Sequence, residues 1–197
     1  MKKAIIPSIL SMFVMSISTA AFEDDDNPAT YFRRDKAGWG KNVDADLGWT
    51  NVMSKNHQQV ADDIAHKAKW RLGGEWVTPA LKIGKIESGY TCNVKGPKTK
   101  HGRAVGPLQV LVSSADGLGI TVYELNSSCT AQIEAGIRHM EQCLKSGVRT
   151  EKEFYSCHVS GFKGWNKKLK RKAAKYREQY IKLAQNAKVP AWAGSLF

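Results

Sequence analysis

Glu87 is the residue of this 197-residue chain whose type and surroundings best suit acid chemistry. It follows Ile86 at the end of an apolar run, and the next Asp or Glu along the chain is Asp116. A carboxyl group in such a place is poorly solvated, which favours its neutral, proton-donating form. The common alternative is a surface glutamate paired with Lys82 or Lys85 of the same helix. Glu87 is therefore a candidate general acid whose role depends on its neighbours.

Four cysteines indicate an oxidising compartment. The chain has Cys92, Cys129, Cys143 and Cys157 but no C-x-x-C pair, so the spacing favours two disulfides over a metal site, and no metal or cofactor is expected. Three pairings are open. Because Cys143 lies late in one predicted helix and Cys157 close to the next segment, an antiparallel turn would join these two and leave Cys92 for Cys129.

Residues 1–21 have the order of a secretory signal peptide. Lys2 and Lys3 precede an apolar stretch that ends in small residues. An uncleaved membrane anchor is the alternative, but Pro7 and the serines shorten the apolar run below the ~20 residues that a spanning helix needs. We therefore expect a periplasmic or secreted protein with no membrane span after cleavage.

The elements that must position Glu87 are predicted to be mainly α-helical, with at most a small β element. Apolar residues recur at helical spacing after Asn56, and Gly73-Gly74 ends that pattern. Thr78-Pro79 suits the start of a second helix that carries Glu87 and breaks near Gly89. Two further helices are predicted at 132–144 and from 165 to about 184, and the short run "LQVLV" is the main strand signal.

The charge is concentrated at the C-terminal end. The net charge is +12, and residues 163–188 hold ten basic residues and one acidic residue, Glu178. A predicted apolar stripe, Leu169, Ala173, Tyr176, Tyr180 and Leu183, would dock this helix with its lysines outward. We expect it to guide the protein electrostatically to an anionic surface without taking part in the chemistry. The alternative is a basic, non-catalytic binding protein, although export makes nucleic acid an unexpected partner.

The segments "IESGY" and "RAVGPLQV" resemble the first two motifs of the soluble lytic transglycosylase family, the lysozyme-like enzymes that cleave peptidoglycan. The segments "AQIEAGIRHMEQCL" and "CHVSGFKGW" are similar to its third and fourth motifs. The resemblance implies a lysozyme-like α-helical domain at 56–165. An irregular extension at 22–55 would precede this domain, and a basic helix and tail at 166–197 would follow it.

The resemblance also implies a reaction. Glu87 would protonate the MurNAc-β-1,4-GlcNAc bond and then deprotonate the C6 hydroxyl of MurNAc, which closes a 1,6-anhydro ring without water. The substrate would be the glycan strands of peptidoglycan, and the host machine a secretion or conjugation complex. A lysozyme-type hydrolase, or a wall-binding protein with the same fold, stays open as an alternative.

The groove residues follow from the matched motifs. Ser88 would hydrogen-bond near the acid, Gly106 would let the backbone approach a sugar ring, and Gln109 would offer its amide to the sugar. Leu108 belongs to the same groove segment. Tyr90 is a candidate for stacking on a sugar face, with packing in the core as the alternative.

The chain departs from the family at each later motif. Gln132 stands where the third motif has Asn, and Pro107-Leu108 replaces Leu-Met in the second. His158-Val159 replaces the Tyr-Asn of the fourth, whose Tyr orients the acid in that family. His158 is expected to orient Glu87 by hydrogen bonding, with a core histidine of no catalytic role as the alternative.

Overall fold

A computed structural model describes residues 55–99 and 101–196. The predicted signal peptide, 1–21, and all but the last residue of the predicted extension, 22–55, lie outside these residues. The described part is mainly α-helical with one two-stranded sheet, which confirms the predicted fold class. Its helices are α1 (Lys55–Leu72), α2 (Val77–Ser88), α3 (Val122–Ser127), α4 (Cys129–Lys145), α5 (Glu151–Ser160) and α6 (Arg171–Asn186).

All four predicted helices are present, and the accuracy of their predicted ends differs from helix to helix. α1, α2 and α4 begin and end within a few residues of the prediction. The N-cap of α2 is Trp76 and not Thr78, and Pro79 lies in the first turn, where its missing N–H costs no hydrogen bond. The C-terminal helix starts at Arg171, six residues later than predicted. Helices α3 and α5 were missed, and both begin with a capping box, at Thr121 and Thr150.

The sheet is a small antiparallel pair. Strands β1 (Ala104–Val105) and β2 (Val110–Leu111) place Ala104 opposite Leu111 and Val105 opposite Val110. The predicted strand "LQVLV" thus contains β2, but its last residue, Val112, already begins a 3-10 turn. The four residues between the strands are the Gly-Pro-Leu-Gln segment, so the sheet presents the second motif as its turn.

Two hydrophobic cores hold the described residues together. The larger one gathers buried side chains from α1, α2, α4, α5 and α6, with Ile64, Leu81 and Ile137 among them. The smaller one lies between the sheet, α3 and one face of α4, and includes Val105, Leu125 and Ala135. Helix α4 contributes to both cores, which joins the sheet to the helical body.

The disulfides join the predicted cysteines. Cys92 is bonded to Cys129 and Cys143 to Cys157, across 37 and 14 residues of sequence, which confirms the predicted pairing. Closing loops of these lengths contributes roughly 3 to 4 kcal/mol each in the chain-entropy view. Two disulfides are compatible with folding outside the cytoplasm. Among the helices of residues 55–99 and 101–196, none is both long enough and apolar enough to cross a membrane.

Candidate active site

Glu87 lies in the last turn of α2 and is 8% exposed. The turn is apolar because the helix is buried along most of its length, with Ile83 and Gly84 on the same inner side. The helix ends at Gly89, whose φ of 60° is a left-handed conformation that glycine adopts without strain. The carboxyl group therefore stands at a fixed helix end, largely out of water, as the sequence predicts.

Two side chains approach the same oxygen of Glu87. The Tyr180 hydroxyl donates a hydrogen bond of 2.6 Å to Oε1, and Nε2 of His158 lies 3.3 Å from Oε1. The other oxygen, Oε2, has no hydrogen-bond partner among the described residues. Oε1 is thus held as an acceptor, which leaves Oε2 as the oxygen that can carry a transferable proton.

His158 comes from α5, and its side chain is 5% exposed. Its ring stacks with that of Tyr180, at a centroid distance of 6.1 Å and an interplanar angle of 20°. Its other nitrogen, Nδ1, is buried without a hydrogen-bond partner. Nε2 therefore faces Glu87, whereas Nδ1 faces a part of the protein that offers it no hydrogen-bond partner. The structure thus brings His158 to the acid, as the sequence predicts.

His139 of α4 lies behind His158. The two rings meet edge to face with their centroids 5.5 Å apart, and Nε2 of His139 is 3.4 Å from the carbonyl oxygen of His158. Burial, and then the charge that His158 would carry, lower the pKa of His139 to about 4. His139 is therefore neutral at physiological pH and supports His158 by packing without adding charge to the site.

Tyr180 of α6 is the site residue that sequence reasoning missed. It is fully buried, and burial, together with the negative charge of Glu87, raises its pKa well above the ordinary value, so its hydroxyl remains a donor. The predicted stripe indicated that Tyr180 packs inward but gave no sign of its partner. The sequence analysis gave the C-terminal helix only an electrostatic role, whereas α6 also makes a direct contact with Glu87 through Tyr180.

The predicted stripe and outward cations are confirmed in part, because Leu169, Lys167, Lys168 and Lys170 precede α6, and its buried residues Ile181 and Ala184 lie outside the stripe. Tyr180 is buried, and the other stripe residues are half-buried. The cations that the sequence placed outward are all exposed: Lys167, Lys168, Lys170, Arg171 and Lys175. The helix therefore divides into a face that completes the site and a face that carries charge.

Ser88 joins the acid-bearing helix to the Gly-Pro-Leu-Gln turn. Its hydroxyl donates to the carbonyl oxygen of Pro107 at 3.0 Å and accepts from the backbone N–H of Thr91, also at 3.0 Å. Ser88 lies next to Glu87 in sequence, so this bond holds the second motif against the first. The structure brings the two motifs together, and it gives Ser88 an anchoring role.

Gly106 and Gln109 hold the turn itself. Gly106 has a φ of 84°, and a Cβ there would lie 2.6 Å from the Cβ of Gln132, so glycine is required for close packing inside the protein. Gln109 donates its side-chain amide to the carbonyl oxygens of Val94 and Gly106, at 3.2 and 2.8 Å. Both residues are therefore engaged internally, in roles different from the sugar contacts expected for them.

Gln132 of α4 is the second residue whose role the sequence did not reveal. It is fully buried, and its amide donates to Oδ1 of Asn93 at 2.8 Å and to the carbonyl oxygen of Leu125 at 3.0 Å. Its Oε1 accepts from the backbone N–H of Asn93 at 2.9 Å. Because Asn93 neighbours Cys92, this bonding and the Cys92–Cys129 disulfide tie the loop after α2 to α4. The mismatch to the third motif was the only signal at Gln132.

Tyr90 and Leu108 need correction as substrate contacts. Tyr90 has no exposed surface, and its hydroxyl donates to the carbonyl oxygen of Leu81 at 2.8 Å. Leu108 is also fully buried, and a Cβ on Gly136 would lie 2.3 Å from its Cδ1. Neither side chain reaches a bound sugar in this arrangement, because both fill the core under the site.

The next three acidic residues after Glu87 in the sequence are bonded to other groups or exposed. Glu124 caps α3 through Thr121, Glu134 is bonded to Lys67 and Arg138, and Asp116 is exposed in a 3-10 turn. In the described part of the chain, no carboxylate bonds to Glu87 or shares its partners. Among residues 55–99 and 101–196, Glu87 is therefore the one carboxylate bonded to Tyr180 and His158 by the contacts described above.

Two surface depressions lie away from the acid. One, of about 520 Å³, is lined by Lys67, Arg71 and Glu134 among others, and one of about 330 Å³ lies beside Lys82 and Glu151. Lys67 and Arg71 pair with Glu134 in the first, and Lys82 pairs with Glu151 in the second. Glu75, which also lines the second, is exposed, unlike the buried Glu87.

No protein-family model, curated protein or solved structure matches the chain. The arrangement around Glu87 therefore has to be interpreted from its own chemistry.

Proposed function

We propose that this protein is a peptidoglycan lytic transglycosylase that acts through Glu87. The observation that carries the proposal is the geometry of one carboxyl group: Tyr180 donates to Oε1 of Glu87, and Oε2 has no partner among the described residues. A buried carboxyl held in this way presents one oxygen for proton transfer. Among the described residues, Glu87 has no Lys or Arg partner, which suits a carboxyl group that acts as a general acid.

The proposed cycle needs one acid. The proton moves from Oε2 of Glu87 to the glycosidic oxygen, the C1–O bond of MurNAc breaks, and GlcNAc leaves with a free hydroxyl. The substrate's own 2-acetamido group stabilises the positive charge that remains at C1. The C6 hydroxyl of MurNAc then attacks C1 and gives its proton to Glu87. This step closes the 1,6-anhydro ring, returns the acid to its starting state and consumes no water.

The single acid supports this reaction over hydrolysis. A hydrolysing glycosidase usually places a second carboxyl group about 5 to 9.5 Å from the first, as nucleophile or base. Asp116, Glu124 and Glu134 are the nearest acids beyond Glu87 along the chain, and none of them bonds into this site. His158 and Tyr180 act as positioning residues in the proposed mechanism, since they touch the acid and hold its orientation.

The reaction is proposed to take place in the periplasm or outside the cell, where the wall is accessible. The two disulfides are compatible with such a compartment. The exposed cations near the start of α6 suit an anionic wall, since stem peptides carry carboxylates. These features support the setting of the reaction and not its chemistry.

Mass analysis of muropeptides tests the proposal. Purified protein is incubated with peptidoglycan sacculi, and the released fragments are compared with those that a muramidase produces. Anhydro-MurNAc products, each lighter by one water than the hydrolysis product, are expected. Reducing ends would identify a hydrolase, and the absence of any product alongside stable wall binding would identify a non-catalytic binder.

A further inference from the structure

Residues 95–99 and 101–103, here called the basic hairpin, extend from the small sheet. The backbone of Lys95 bridges Val105 and that of Thr99 bridges Gly102, with a 2.8 Å hydrogen bond from Gly96 N to the carbonyl oxygen of Ala104. Arg103 donates to the carbonyl oxygen of Gly96 at 2.8 Å. The hairpin is therefore an ordered extension with a fixed direction.

Its base is tied to the helix end that carries the acid. Gly106 N donates to the carbonyl oxygen of Val94 at 2.9 Å, and the next residue, Pro107, accepts from Ser88. Val94, at the base of the hairpin, is bonded to Gly106, and Pro107, which follows Gly106, is bonded to Ser88, the residue after Glu87. A glycan strand bound at Glu87 would lie beside this structure.

The charges of the basic hairpin have no internal counterions. Lys95, Lys98 and Arg103 are exposed and form no ion pair with any described residue, and the sequence has no Asp or Glu from 88 to 115. The cations of α1 differ, because Lys67 and Arg71 both pair with Glu134. A cluster of like charges without counterions is costly, so its presence beside a binding site favours an anionic ligand.

The side chains of the hairpin also bear on the class of ligand. Nε2 of His101 is covered by the protein itself, so the cations that a ligand can reach are Lys95, Lys98 and Arg103. The hairpin has no Trp, Tyr or Phe on which a nucleobase could stack, which disfavours single-stranded nucleic acid.

We propose that the basic hairpin binds the carboxylates of the stem peptides, so that the protein selects peptide-carrying glycan strands over peptide-free ones. This inference rests on the proposed function, because it names the substrate class of that same site. Lys95 and Lys98 would contact the peptide carboxylates, and the glycan itself would be held at Glu87. Ammonium and guanidinium groups are the preferred partners of carboxylates in proteins.

The test compares matched charge reversals on two forms of glycan strand. K95E/K98E is compared with K145E/K152E, which changes the net charge equally at two exposed lysines outside both the hairpin and the basic segment 163–188. Each variant is assayed on intact strands and on strands stripped of peptides by an amidase, at about 0.15 M salt, where charges more than ~8 Å apart are largely screened. Circular dichroism establishes that each variant is folded, and K95A/K98A serves as a milder second variant.

On peptide-carrying strands, K95E/K98E is expected to lower kcat/KM by about tenfold, since two exposed contacts are lost and repulsion replaces them. On stripped strands it should stay within twofold of wild type, and K145E/K152E should stay within twofold on both. An equal loss on both substrates, or none on either, would overturn the inference.

Binding measured in the Glu87→Gln background separates this inference from the proposed function. If the wild type cuts neither substrate, the proposed function fails, and the hairpin is still tested by its preference for peptide-carrying strands in sedimentation. If the wild type cuts both substrates and binding shows no preference, the hairpin inference alone fails. Binding of the hairpin to anionic lipid vesicles without any preference among glycan strands would also overturn it.

Discussion

Glu87 and Glu134 are two shielded carboxylates with opposite surroundings. Their side chains are 11% and 14% exposed. Glu87 is met by a phenol and an imidazole on one oxygen, whereas Glu134 is bonded to Lys67, Arg71 and Arg138 at 2.8 to 2.9 Å. The two groups thus differ little in exposure and sharply in the charge of their partners.

The difference teaches that burial alone does not make an acid useful. Burial opposes ionisation of Glu134, but hydrogen bonds from Lys67 and Arg138, together with the charge of Arg71, outweigh it and lower the pKa of Glu134. The lowered pKa of Glu134 favours its charged form, which joins α1 to α4 through its three cationic partners. Glu87 has no Lys or Arg partner among the described residues and is met by Tyr180 and His158.

The strongest test of this contrast replaces each glutamate by glutamine. Glu87→Gln keeps the shape and removes the transferable proton, so cleavage of peptidoglycan should fall at least 10³-fold while folding and wall binding persist. Glu134→Gln is the matched control and should keep cleavage within threefold of wild type. Muropeptide release per unit time is the measurement.

Residual cleavage by Glu87→Gln within tenfold of wild type would sink the assignment of the acid. A loss in the Glu134 variant as large as that in the Glu87 variant would remove the contrast between them.

The next effect concerns His158. Truncation by His158→Ala removes the ring beside Oε1 of Glu87 and should lower kcat by about 10²-fold, as expected when a positioned partner of the reacting group is lost. His158→Gln retains an N–H close to the position of Nε2 and should recover part of the rate. An unchanged kcat in the alanine variant would assign His158 to the core.

Tyr180→Phe should have a smaller effect. The ring stays and only the hydroxyl that donates to Glu87 is removed, so kcat should fall roughly 10- to 30-fold with KM nearly constant, in line with one hydrogen bond to a charged group. Tyr176→Phe, one helical turn earlier and half-buried, is the control. Equal kinetics for the two variants would mean that the hydroxyl of Tyr180 has no role in positioning.

The smallest effect is on stability and belongs to Glu134. Its lowered pKa contributes stability above the unfolded value of about 4.3, and this contribution is lost as pH falls through the folded value. Because its cationic partners are about one third exposed, Glu134→Gln should cost only about 1 kcal/mol at pH 7, or ~3 °C in Tm. The difference from wild type should shrink as the pH is lowered below 4. A difference that stays constant down to pH 3 would contradict the ion-pair account.

The parts of the fold that follow from local patterns could be predicted from sequence. Helical periodicity located α1, α2 and α4, and the apolar run before Glu87 predicted its burial. The disulfide pairing followed from the order of the predicted helices. Helix α5 was missed because its buried residues, Phe154 to Cys157, are consecutive and give no helical period.

The contacts of the site were harder to predict because they join distant parts of the chain. The stripe on α6 showed that Tyr180 faces inward, but nothing local indicates which helix it meets. The same limit applies to Tyr90 and Leu108, whose types suit a sugar groove as well as a core. Close approaches of the kind between Gly106 and Gln132 depend on packing in three dimensions, which a linear pattern does not contain.

The bond between Tyr180 and Glu87 also bears on the order in which the parts of the site become available. The two residues are 93 positions apart, and Tyr180 lies in the last α-helix of the described chain. A chain that emerges from its N-terminal end has Glu87, its helix and all four cysteines before α6 is available. The acid therefore acquires its hydroxyl donor only when the final helix docks, so an unfinished or C-terminally clipped chain holds the acid without its full support. The surroundings of Glu87 are in this way complete only when the last helix is in place.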